Sequence, residues 1–156
     1  MTMRPGALFP IALMTAVLPT SLASAAADGA KVYQRCAACH LPTGKGVPGA
    51  FPPLQADVRA LAGIPEGRRY LVLAVTSGLS GPLTVEGKTY RGMMPPQSGL
   101  DDEAVAAVLS HVTGEIAGGG RTVKPFTAAE VRMAQDSGAG LDAAAVARLQ
   151  PKLSGK

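Results

Sequence analysis

"RCAACHLPTGKG", residues 35–46, contains both cysteines of the chain and one of its two histidines. Cys36, Cys39 and His40 follow the pattern C-x-x-C-H, which four chemistries could use. A disulfide between cysteines three apart would close only a very small loop. A thioredoxin-like redox pair usually follows a strand in a βαβ pattern, which is missing here. Zinc needs further ligands, and His111, the other histidine, belongs to no second ligand group. The fourth chemistry is covalent haem attachment, for which C-x-x-C-H is the recognised signature. On a helical turn, positions i, i+3 and i+4 share one face. Two thiols can then add to the two vinyl groups of one porphyrin edge while the next imidazole reaches the iron. Neither cysteine is left over.

The rest of the chain has room for such a group. Its 156 residues include no Trp, three Phe and three Tyr, and much of the 47% apolar content is alanine. One domain with a thin core follows, and a large buried cofactor would supply the missing apolar volume. The formal charge of +4 comes with no Lys/Arg run of the kind nucleic-acid binders show, so nucleic acid is set aside.

The first 25 residues read as a signal peptide. Arg4 forms a short basic start, Ala7 to Leu18 is apolar and uncharged, and "SLASAAA" offers an A-x-A cleavage site between about residues 25 and 27. A retained membrane anchor is the alternative. The apolar run falls short of the roughly 20 residues a spanning helix needs, and nothing later in the chain is long enough. The expectation is an exported, periplasmic protein with no membrane span after cleavage, in an oxidising compartment.

A haem iron held by one histidine has a sixth position to fill. Loss of the leader removes Met1, Met3 and Met14 and leaves Met93, Met94 and Met133. Met93 and Met94 lie in "GKTYRGMMPPQSG", a loop stiffened by Pro95 and Pro96, so either thioether could be held ready for a metal. Paired methionines also serve simply to fill gaps in a core.

Local patterns outline the elements. "DGAKVYQRC" opens with an acidic helix cap, and Gly29 and Tyr33 lie four apart on one face. "GRRYLVLAVTSG" has helical apolar periodicity and stops at Gly78. "LTVEGKTY" is a hairpin turning at Glu86-Gly87. "LDDEAVAAVLSHV" starts at an Asp101 or Asp102 cap and carries a buried stripe of Val105, Val108, Leu109 and Val112. After Ile116, "AGGGR" reads as a joint. Thr127 and Glu130 have capping-box spacing, and "LDAAAVARLQPKL" is a further short helix.

These segments together resemble a class I mono-haem cytochrome c of the small bacterial periplasmic type. The matching stretches are "DGAKVYQRCAACH", "PTGKGVPGAFPPL", "GKTYRGMMPP" and "LDDEAVAAVLSHV". The resemblance implies a mostly α, cytochrome c-like helical domain around one haem, with a small β-hairpin. It spans residues 28–118, and residues 121–156 form a helical extension covering one side. It implies one covalent haem c on Cys36 and Cys39, with His40 and Met94 as axial ligands, since the family's ligand is the Met just before the Pro. A prolyl carbonyl orients the ligand histidine in this family, which suits Pro52, with Pro53 as the alternative. Leu54 would pack on the ring. Relatives commonly carry an aromatic where this chain has His111. That histidine is read as packing beside Tyr33 and the Gly29 notch, not as a ligand.

The function implied is one-electron transfer with a periplasmic redox protein or dehydrogenase, without catalysis. The alternatives are a cytochrome subunit of a dehydrogenase or nitrite reductase complex, or a haem enzyme or sensor with a displaceable Met. Lys45, Lys88 and Arg91 are candidate docking cations around the haem edge. Donor, acceptor and oligomeric state are not legible.

Overall fold

The computed structural model describes residues 1–2 and 27–153. The leader reading falls on residues 3–26, outside the described residues. Helix α1 (Gly29–Tyr33) starts where the Asp28 carboxylate accepts from the amides of Ala30 and Lys31 at 3.0 and 3.2 Å. Such a cap satisfies donors that the first turn would otherwise leave open. Helix α2 (Ala37–His40) is one turn long and begins at Cys36.

Two helices follow, α3 (Ala56–Ala62) and α4 (Pro65–Thr76), with Pro65 at the first turn of α4, where no amide is needed. Strands β1 (Leu79–Ser80), β2 (Leu83–Val85), β3 (Lys88–Tyr90) and β4 (Met93–Met94) form two antiparallel pairs, β1 with β4 and β2 with β3. The β2–β3 hairpin turns at Glu86 and Gly87, both with positive φ, as a tight two-residue turn requires. It is tied to α3 reciprocally. Asp57 accepts from the Glu86 amide at 2.6 Å, and the Glu86 carboxylate accepts from the Ala56 amide at 2.8 Å.

Helix α5 (Asp102–His111) is capped by Asp101, whose carboxylate accepts from the Ala104 amide at 2.8 Å. Val105, Val108, Leu109 and Val112 are all buried, the stripe its periodicity predicts. The helix continues into a π-helical turn (Val112–Ile116), where the buried Thr113 hydroxyl donates back to the Leu109 carbonyl at 2.8 Å. Helix α1 crosses α5 at Gly29. A Cβ there would run into the Ala107 carbonyl and lie 2.9 Å from the His111 Cβ, so only glycine permits the approach. Tyr33 lies beside the same crossing, its ring 5.6 Å from that of His111. The histidine packs there, well away from the C-x-x-C-H turn in sequence.

After a short 3₁₀ turn at Gly120–Thr122, α6 (Ala128–Ser137) packs on α4 and α5, and α7 (Ala143–Arg148) on α4 and β1. Val131 and Val146 are fully buried in the same core as Val72 and Val105. Thr127 caps α6 by accepting from the Glu130 amide at 3.2 Å. The Glu130 carboxylate does not complete the box; it pairs with Arg68 of α4. Arg68 also donates to the Lys124 and Pro125 carbonyls and lies 3.8 Å above the Phe126 ring. One guanidinium thus fastens the strap between α5 and α6.

Candidate functional site

The Cys36–His40 turn is helical because nothing in "CAACH" resists it: alanines separate the cysteines, and the His40 amide bonds the Cys36 carbonyl at 2.9 Å. The turn stops at Leu41, whose φ of 63° leaves the helix. The Tyr33 hydroxyl donates to the Leu41 carbonyl at 2.8 Å and so ties this exit to α1. Burial pushes the Tyr33 phenol up to about 12, which keeps it a neutral donor.

Cys36, Cys39 and His40 line one cleft of about 290 Å³. Leu71, Ala74 and Val75 of α4 form part of its wall, with Val108 and Leu109 of α5 and Val112 of the π-helical turn. Leu79, Leu83, Val85 and Tyr90 line it from the strands, and Met93 and Met94 from the Met-Pro-Pro loop. The α5 stripe therefore has a second role, since three of its four residues face the cleft. A close-packed interior does not leave an apolar gap of this size between its own side chains. The cleft suits a flat apolar group with two thiols and an imidazole at its edge.

His40 is buried, and its Nδ1 lies 2.9 Å from the Pro52 carbonyl oxygen. A carbonyl can only accept, so Nδ1 carries the proton and Nε2 keeps its lone pair. Burial pulls the His40 pKa down, opposed by the Pro52 hydrogen bond. A neutral imidazole with one bare nitrogen is the form that ligates a metal. Burial raises the Cys36 pKa, with Arg35 pulling the other way. Cys36 and Cys39 are not bonded to each other.

The two adjacent methionines differ sharply. Met93 is 71% exposed, whereas Met94 is partly buried against the core. Strand pairing accounts for this, because Leu79 faces Met94 while Ser80 faces Met93. Leu54 is partly buried on the cleft wall. Lys45, Lys88 and Arg91 are exposed. Among the described residues, no group of three or more His, Cys, Asp or Glu side chains could hold a metal ion, and no helix is long and apolar enough to cross a membrane.

Sequence reading missed the α4 wall, Asp57 and Gln150 as cleft residues. The apolar side of α4 was visible in its periodicity, but what it faced was not. Gln150 reaches the cleft edge from beyond α7 and donates to the Thr84 carbonyl at 2.8 Å, a contact with no local signal.

Helices crossing at a glycine notch, a C-x-x-C-H turn and an apolar cleft define a c-type haem protein. The Cytochrome c family model matches residues 26–114. A cytochrome c-552 of Thermus thermophilus is 46% identical over 123 residues, 77% of this chain and 82% of that protein. A second Thermus thermophilus cytochrome c-552 is 46% identical over 109 residues, 68% of this chain and 82% of its own length. The chain belongs to the cytochrome c family, as a mono-haem class I member with the mostly α fold. Membership brings one covalently bound haem c, which Cys36 and Cys39 fit by spacing, and the role of a haem-based electron carrier.

Proposed function

We propose that the protein is a periplasmic one-electron carrier whose haem is tethered by Cys36 and Cys39 and ligated by His40 and Met94. The observation that carries this reading is the contrast in burial between the two methionines: both border the cleft that holds His40, but Met94 is partly buried against the core while Met93 is 71% exposed. Haem c supplies a reversible one-electron couple. The chain's own residues orient the imidazole through Pro52, hold the thioether on a paired strand, and surround the ring with Leu54 and the α4 and α5 walls. Apolar burial and a thioether ligand both raise the potential of such a centre. With His40 and Met94 both bound, the iron would keep no position open for substrate, which favours electron transfer over catalysis.

On this reading residues 1–25 are an export leader, residues 28–118 carry the haem, and residues 121–156 cover one side. The partner is a periplasmic redox protein or dehydrogenase that presents an acidic surface to Lys45, Lys88 and Arg91. Carrier interfaces are small and steered by charge more than held by area.

The test has two arms. The oxidised protein should be low-spin with the long-wavelength charge-transfer band of a thioether–ferric bond. A high-spin ferric spectrum with rapid cyanide binding would favour an enzyme or sensor. Electron-transfer rates with an acidic partner should fall as salt shortens the Debye length below roughly 10 Å. They should also fall at low salt when Lys45, Lys88 and Arg91 are changed to Gln, with the potential unmoved. A rate indifferent to both would indicate an apolar, subunit-like interface.

A further inference from the structure

We infer that Gly78 is a positioning residue for the sixth iron ligand; this rests on the reading of Met94 as that ligand. Gly78 follows the C-terminus of α4 and has φ +78°. Its special feature is what surrounds it. A Cβ at this position would lie 2.5 Å from the Met94 carbonyl oxygen, 2.9 Å from the Pro96 nitrogen and 3.0 Å from the Pro96 Cδ. Every one of these atoms belongs to backbone or to a proline ring, so no flexible side chain can move aside. Restoring ordinary contact would displace the Met94 peptide by roughly 1 Å.

The Met-Pro-Pro loop is held against this bare spot from both ends. Leu79, the next residue, pairs with Met94 across the β1–β4 ladder. Beyond the prolines, the Gln97 amide donates to the Val75 carbonyl of α4 at 2.8 Å. The Gln97 side chain also donates to the Pro95 carbonyl at 2.9 Å. The end of α4 and the glycine after it thus form the seat on which the loop rests. Two consecutive prolines make the loop stiff, so a displacement at Gly78 passes to the Met94 thioether instead of being absorbed. A thioether is a weak, neutral ligand whose bond to iron tolerates little displacement.

Gly87 provides the internal control. Its φ is +75°, close to that of Gly78, yet nothing lies within 4 Å of its missing Cβ. An alanine at either position meets the same left-handed backbone penalty, but only the one at 78 strikes the Met94 loop.

The experiment compares the wild-type holoprotein with Gly78→Ala and Gly87→Ala. Gly78→Ala should lose the thioether–ferric charge-transfer band, bind cyanide faster and have a lower potential. Gly87→Ala should match the wild type in all three, whatever its loss of stability. In wild-type protein, proton NMR should show a close contact between the Gly78 Hα and the Pro96 Hδ protons, a readout that stands even if Gly78→Ala fails to accumulate. A Gly78→Ala protein with the wild-type band and potential would overturn the positioning role alone. Absence of the NMR contact in wild type would do the same. A wild type lacking the band would overturn both this inference and the Met94 assignment.

Discussion

The Nδ1 of His40 lies 2.9 Å from the carbonyl oxygen of Pro52, and this contact decides which imidazole nitrogen is free. Proline offers no amide and its carbonyl only accepts, so the ring must donate from Nδ1. Nε2 then keeps its lone pair, the one that would meet the iron on the proposed ligation. A partner on the remote nitrogen also fixes the ring plane and strengthens the ligand. The Nδ1 proton should be slow to exchange in nitrogen-edited NMR of the holoprotein, in both oxidation states. Loss of this signal within the first minutes in D2O would show that the histidine is not held this way.

At the α1–α5 crossing, two effects oppose each other in Gly29→Ala. Alanine is favoured over glycine in a helix by about 1 kcal/mol. Against that, the new methyl meets the Ala107 carbonyl, a backbone group on a packed helix, and overpacking of this kind costs about 1–3 kcal/mol. Steric cost should win, giving a net loss of up to about 2 kcal/mol in urea unfolding with an unchanged m-value. A stabilised variant would mean the helices can separate without penalty.

The strap is expected to be sensitive to acid. The hydrogen-bonded Arg68 guanidinium is the main cause of the lowered Glu130 pKa. A carboxylate depressed in the folded state contributes stability that is fully present above its unfolded pKa and is lost as pH falls through the folded value. Glu130→Gln should lower neutral-pH stability by about 2 kcal/mol, the scale of a charged hydrogen bond. It should also flatten the decline in Tm below the usual carboxylate range. Parallel pH curves for variant and wild type would remove Glu130 from the account.

How much of this was legible beforehand depended on the distance each signal spans. Asp101 and the α5 stripe, the Glu86-Gly87 turn and the Thr127 cap are set by neighbours within a few residues, and all could be read locally. The seven-residue α3 could not, because its cap position, Gln55, makes no side-chain cap hydrogen bond and the helix is too short to show a period. The β1–β4 pair joins two residues to two others more than a dozen positions away, on either side of the β2–β3 hairpin, with no turn signal of its own. Arg68 reads as a surface charge on an amphipathic helix, yet it binds partners about 60 residues on. The C-x-x-C-H turn could be read because its chemistry lies in five consecutive residues. The cleft it faces is assembled from five separate stretches, residues 50–61, 70–75, 79–97, 108–112 and Gln150.

The central claim, that His40 and Met94 hold the iron, is tested most directly by the ferric spectrum and potential of Met94→Ala beside Met93→Ala. The account predicts that Met94→Ala loses the thioether charge-transfer band and drops in potential. Met93, 71% exposed beside Met94 on the same two-residue strand, should be replaceable with neither change. If Met93→Ala abolished the band and Met94→Ala kept it, the ligand assignment, and with it the role inferred for Gly78, would be contradicted.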